Sequence, residues 1–141
     1  MKKIILPLIF SSISCFVFSQ TAPHSWKEYF SFSSVKQIEK INSTIAALTS
    51  NGVYLYNIDS KYISKYTKIQ GLSGGGLTQM AFNTNTSSLI IGFDNGCIDI
   101  IDFPTMNITN INTINRKSIY GSKAIRDFCF SNDTVYIATD F

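Results

Sequence analysis

Ile45-Ala46-Ala47-Leu48-Thr49-Ser50-Asn51-Gly52-Val53-Tyr54-Leu55-Tyr56-Asn57-Ile58-Asp59 returns as Leu89-Ile90-Ile91-Gly92-Phe93-Asp94-Asn95-Gly96-Cys97-Ile98-Asp99-Ile100-Ile101-Asp102-Phe103. Val135-Tyr136-Ile137-Ala138-Thr139-Asp140-Phe141 matches the front half of the same unit. The two Asn-Gly pairs stand 44 residues apart. Each copy is an apolar run, a turn and an alternating run. Asn-Gly between apolar runs signals a β-hairpin, and a type I′ turn with φ > 0 at both central residues is expected. A period of about 40–45 residues built from paired β runs is the pattern of a propeller blade.

The fold class that follows is all-β, a β-propeller fragment of four-stranded antiparallel blades. Blade one covers about residues 35–69, with strands at 35–41, 44–49, 53–58 and 62–69. Blade two covers about 77–114, with strands at 77–82, 88–93 and 97–102 and a weaker one between 107 and 114. Blade three is begun at about 124–141, with strands at 125–130 and 134–139. The openings correspond: Val35-Lys36-Gln37-Ile38, Leu77-Thr78-Gln79-Met80 and Ile125-Arg126-Asp127-Phe128. Leu89-Ile90-Ile91 is apolar on both sides, as a strand sandwiched between sheets must be. Leu48, Gly92 and Ala138 share one position. A small residue there either admits a neighbouring backbone or marks a bulge. The third copy breaks off early, so the chain alone is expected to expose a sheet flank and to be marginally stable.

Residues 1–19 read as a signal peptide: Lys2 and Lys3, then a mostly apolar stretch too short and broken to span a bilayer. Cys15 lacks the Leu three places earlier that a lipidation site wants. Residues 20–34 form a leader. Within it, residues 26–32 read as a strand that closes the ring in the last blade; the alternative is that Trp26 only plugs the base of blade one. The net charge of +3 falls to +1 without Lys2 and Lys3, which is not a nucleic-acid-binding balance. Cys97 and Cys129 could pair in an oxidising compartment, but two small buried strand residues are the expected reading. With a single histidine, His24, in the leader, no zinc site is expected.

Residues 71–76 are glycine-rich, but no lysine follows and a strand continues, so they make a connector and not a phosphate loop. Arg116, Lys117, Lys123 and Arg126 surround Ser118-Ile119-Tyr120-Gly121-Ser122 in the next connector. Connectors emerge on the same propeller face as the hairpin between second and third strands. Arg116, Lys117, Tyr120, Lys123 and Arg126 are therefore candidate ligands for an acidic glycan or a partner's carboxylates, set against a plain solvated loop. Asp59, Asp99, Asp102, Asp127 and Asp133 form no glycosidase pair. No enzyme activity, cofactor or metal is expected.

Trp26-Lys27-Glu28-Tyr29, Leu48-Thr49-Ser50-Asn51-Gly52, Gly71-Leu72-Ser73, Ile91-Gly92-Phe93-Asp94-Asn95-Gly96 and Arg116-Lys117-Ser118-Ile119-Tyr120-Gly121-Ser122-Lys123 together carry a family resemblance. The repeats resemble two-component-regulator propeller repeats. The chain from about Trp26 onward is similar to the N-terminal propeller of PorZ-type proteins of Bacteroidota. That resemblance implies an exported component of the type IX secretion system, in the periplasm or at the outer-membrane surface. It implies attachment-complex proteins as partners and a setting where cargo is joined to anionic lipopolysaccharide. The further blades and the C-terminal sorting domain of such proteins are not in this sequence. The alternative is the periplasmic sensor propeller of a hybrid two-component regulator. A carbohydrate-active propeller would need a catalytic pair in further blades.

Overall fold

The computed structural model describes residues 31, 33–132 and 134–141. The signal peptide, Cys15, His24 and all but Ser31 of the expected leader strand lie outside them. The described residues are all-β, with ten strands: β1 (Val35–Ile41), β2 (Thr44–Thr49), β3 (Val53–Asn57), β4 (Ile63–Tyr66), β5 (Leu77–Asn83), β6 (Ser88–Phe93), β7 (Ile98–Asp102), β8 (Ile108–Ile111), β9 (Ile125–Ser131) and β10 (Thr134–Thr139). They form two four-stranded antiparallel meanders, β1-β2-β3-β4 and β5-β6-β7-β8, and a two-stranded sheet, β9-β10. The architecture is a partial β-propeller.

Burial explains the layering. Every residue of β6 is buried. Leu89, Ile91 and Phe93 join Leu48, Val53 and Leu55 in a core between the first and second sheets. Ile90 and Ile98 join Ile125 and Phe128 in a core between the second and third. Each such side chain contributes roughly 1.5–3 kcal/mol on leaving water. The doubly apolar run is thus the mark of a strand with a sheet on either side.

The first strands, β1, β5 and β9, lie side by side and are stitched by polar side chains. Gln37 accepts from the Met80 N–H at 3.0 Å and donates to the Met80 carbonyl at 2.8 Å. Each first strand also carries a bulge at its second residue: Lys36, Thr78 and Arg126 are skipped in the pairing with the neighbouring strand. A bulge re-aims its side chain. Lys36 Nζ donates to the Leu77 carbonyl at 2.6 Å, and Thr78 Oγ1 to the Ile125 carbonyl at 2.7 Å. The bulged residue of one sheet therefore grips the first residue of the next.

Several expectations are revised. The type I′ turns are not formed: φ is positive at none of Asn51, Gly52 and Asn95. In the β6–β7 hairpin the loop holds three residues. Gly96 N–H donates to Phe93 O, Phe93 N–H to Cys97 O, and only Gly96, at φ 83°, is left-handed. This is the bulged three-residue hairpin, with the Asn95 side chain accepting from Cys97 N–H. In the β2–β3 hairpin, the Thr49 N–H and hydroxyl both reach the Gly52 carbonyl.

The fourth strand ends at Tyr66, because the Gln70 carboxamide accepts from both the N–H and the hydroxyl of Thr67 and turns the chain. Cys129 is exposed and not buried. It pairs across β9–β10 with Tyr136, also exposed, on the face of the third sheet turned away from the second. Cys97 is buried, one residue before β7. At Gly92 the bulge lies on the facing strand, at Thr78, and the close neighbour is the Ile125 side chain.

Candidate functional site

The basic connector between the second and third sheets is a built loop. Arg116 N–H donates to Asn112 O at 3.0 Å and Lys117 N–H to Ile114 O at 3.1 Å, which curls the chain after β8. The Lys123 ammonium then donates to the carbonyls of Asn115 and Lys117, at 2.7 and 2.6 Å. Asn115 Nδ2 donates to the Asn95 carbonyl at 2.9 Å, so the connector is tied to the β6–β7 hairpin. A Cβ on Gly96 would stand 2.9 Å from Ile114 Cγ2 and 3.1 Å from Lys123 Cβ. The left-handed φ and this close approach both demand glycine there. The connector between the first two sheets behaves alike: Gly76 N–H donates to Ser50 O, and Asp94 N–H to Gly76 O.

The five candidate residues separate into two groups. Lys123 spends its charge on two carbonyls inside the loop. Arg126 forms a forked pair with Asp140, Nε to Oδ1 at 2.6 Å and Nη2 to Oδ2 at 2.5 Å. Ser122 Oγ donates to the same carboxylate at 2.7 Å. The Arg126 hydrogen bonds, then that of Ser122, hold the Asp140 carboxyl at a pKa of about 2. Asp140 pushes the Arg126 pKa up in return. Arg116, Lys117 and Tyr120 are exposed, Tyr120 completely. Two cations and a phenol ring therefore face solvent on a loop whose shape Lys123 maintains. Such a group can attract carboxylates or phosphates, by long-range charge and by hydrogen bonds.

One polar cluster is not legible in the sequence. Asp99, fully buried in β7, accepts from Ser73 N–H at 2.6 Å, Ser73 Oγ at 2.5 Å and Asn110 Nδ2 at 2.7 Å. It fastens the 71–76 connector onto the second sheet. An acid on an alternating strand, where the first copy of the repeat as aligned has Leu55, is the signal that could have marked it. Among the described residues no group of His, Cys, Asp and Glu is placed to hold a metal ion.

Comparison with known proteins places the fold. A search of curated proteins finds no match. Among solved structures, the chain is similar to PorZ of Porphyromonas gingivalis, described as an essential bacterial surface component of the type IX secretion system. The identity is 19% and the TM-score 0.67, over 74% of this chain and 14% of that one. At that identity the likeness establishes the fold alone. The chain spans about one seventh of that protein's length. The sequence also matches the family described as the type IX secretion PorZ N-terminal β-propeller domain, over residues 45–141. The chain belongs to the family of PorZ N-terminal β-propeller domains, a propeller of type IX secretion.

Proposed function

We propose that this chain is a non-enzymatic scaffold and ligand-binding module of the type IX secretion attachment complex, exported to the periplasm or the outer-membrane surface. Its residues 35–69, 77–114 and 124–141 serve as successive blades. Arg116, Lys117 and Tyr120 take an acidic glycan, with anionic lipopolysaccharide as the class that suits a surface where cargo is attached. The observation that carries this reading is the exposure of those three side chains on a loop held in shape by Lys123. Arg126 stands beside the site with its charge balanced by Asp140.

The test is binding of the complete protein to acidic lipopolysaccharide, compared with a neutral polysaccharide. An exposed ion contact is worth roughly 0.2–1 kcal/mol. Arg116→Ala with Lys117→Ala should therefore weaken binding severalfold, and salt should weaken the parent protein more than the double variant. Equal affinity of both proteins at low salt would remove the connector from the site. Co-purification of the complete protein with other attachment-complex proteins tests the scaffold role separately.

A further inference from the structure

We propose a second binding site, for one uncharged pyranose ring, on the rim opposite the basic connector. A cavity of about 300 Å³ opens there between the first and second sheets. Its walls are the polar side chains of Thr44, Asn57, Ser64 and Tyr62 together with Leu55, and Phe103 and Met106 lie across from them in the turn between β7 and β8. Phe103 is held by an edge-on contact with Phe82, ring centres 5.4 Å apart. Tyr62 is 68% exposed and flanks the mouth.

The turn beneath the cavity fixes one of these groups in place. Asn57 Oδ1 accepts three hydrogen bonds: from Asp59 N–H at 3.1 Å, Ser60 N–H at 2.8 Å and Ser60 Oγ at 2.9 Å. Its oxygen is thereby fully engaged, which pins the carboxamide and leaves the two Nδ2 hydrogens outside the turn's own bonding. The matching turn of the second sheet shows that the fold does not need that amide. There Asp102 stands in place of Asn57 and accepts from the Thr105 hydroxyl. Asp102 N–H donates to Asn107 O just as Asn57 N–H donates to Tyr62 O. Counting from Asn57 or Asp102, both turns also put their fifth residue, Lys61 or Met106, two before the next strand in the left-handed region. An acceptor is what the turn requires; the NH₂ group is extra to it.

The lining selects the ligand. No ionised side chain borders the cavity, so nothing compensates a phosphate or a carboxylate. An amide and hydroxyls on one side, and an aromatic ring and a thioether on the other, suit a ring with hydroxyls at its edge and an apolar C–H face. The volume suits one ring and not a chain of them.

Saturation-transfer difference NMR on the complete protein, with methyl pyranosides of glucose, galactose and mannose as probes, tests this. Galacturonate and glycerol are the comparisons. The expected result is a saturable signal from at least one pyranoside, with a Kd on the order of millimolar. Tyr62→Ala and Asn57→Asp should each weaken it about five- to tenfold. Asn57→Asp keeps the turn acceptor, as Asp102 does, so its melting temperature should match the parent. The proposal is overturned if no pyranoside saturates, if galacturonate or glycerol binds as well as the best pyranoside, or if both variants bind like the parent.

Discussion

Gly92 lies directly under Ile125. A Cβ on Gly92 would stand 2.5 Å from Ile125 Cγ2 and 3.1 Å from the Phe128 ring. Ile125 is fully buried and Phe128 nearly so, so neither can simply step aside. The corresponding position in the first sheet is Leu48, which shares a core with Leu77 and Met80. The first interface accommodates Leu48 beside that pair, whereas at the second Ile125 and Phe128 close over the position and leave room for glycine alone.

Gly92→Ala is expected to destabilise the protein by about 1–3 kcal/mol through overpacking. Ile125→Ala alone should cost about 2–5 kcal/mol by leaving a cavity. Together the two changes should cost less than their sum, by at least about 0.5 kcal/mol. Urea denaturation of the four proteins measures this, and strict additivity would show that the contact is not what selects glycine.

Asp99 governs the connector between the first two sheets. Asp99→Ala would leave Ser73 N–H, the Ser73 hydroxyl and the Asn110 amide without their shared acceptor. A loss of about 2–4 kcal/mol is expected, with new protease cleavage near Gly74-Gly75. Asp99→Asn keeps one carbonyl oxygen and should fall between. Parent-like protease resistance in Asp99→Ala would show that the glycine-rich connector is held by other contacts.

These cases show where sequence reading succeeds and where it stops. The burial of β6 was legible, since the unbroken apolar run Leu89-Ile90-Ile91 leaves no side for water. The hairpins were legible as turns, but not in their conformation. Asn95 spends its side chain on Cys97 N–H and Gly96 alone takes the left-handed φ, a choice tied to the packing of Lys123 against that glycine. The bulges at Lys36, Thr78 and Arg126 leave no compositional trace, because Lys36 and Thr78 answer to the next sheet and Arg126 to Asp140. Asp99 was hidden for a similar reason: its partners lie 26 and 11 residues away. At the basic connector the residue types were legible. Which cations face outward was not, because Lys123 is consumed by carbonyls that only the folded loop brings together.

The Arg126–Asp140 pair has a definite pH signature. Asp140 falls from its ordinary value of 3.8 to about 2. A carboxyl whose pKa is lower in the folded chain stabilises it above the unfolded value, and that contribution fades as pH falls from about 4 through about 2. Carbon-detected NMR titration should find Asp140 still ionised at about pH 3. Arg126→Ala should raise it toward the ordinary range, with the Ser122 bond still holding it down in part, and reduce that part of the acid sensitivity. A parent Asp140 titrating near its ordinary value would mean that the pair does not persist in solution.

The two cysteines of the described residues should differ sharply in reactivity. Cys129 is exposed beside Tyr136, whereas Cys97 is buried and its thiol pKa is pushed up, first by burial and then by the charge of Asp99. The thiolate is the reactive form, so both burial and the raised pKa protect Cys97. Maleimide labelling of the native protein at neutral pH should modify Cys129 promptly and reach Cys97 only when denaturant is added. Peptide mapping by mass spectrometry reads both sites at once. A disulfide-linked Cys97–Cys129 peptide from the native protein would contradict the free thiols of this fold. Equal labelling of both cysteines without denaturant would mean that the second sheet opens where Cys97 enters β7.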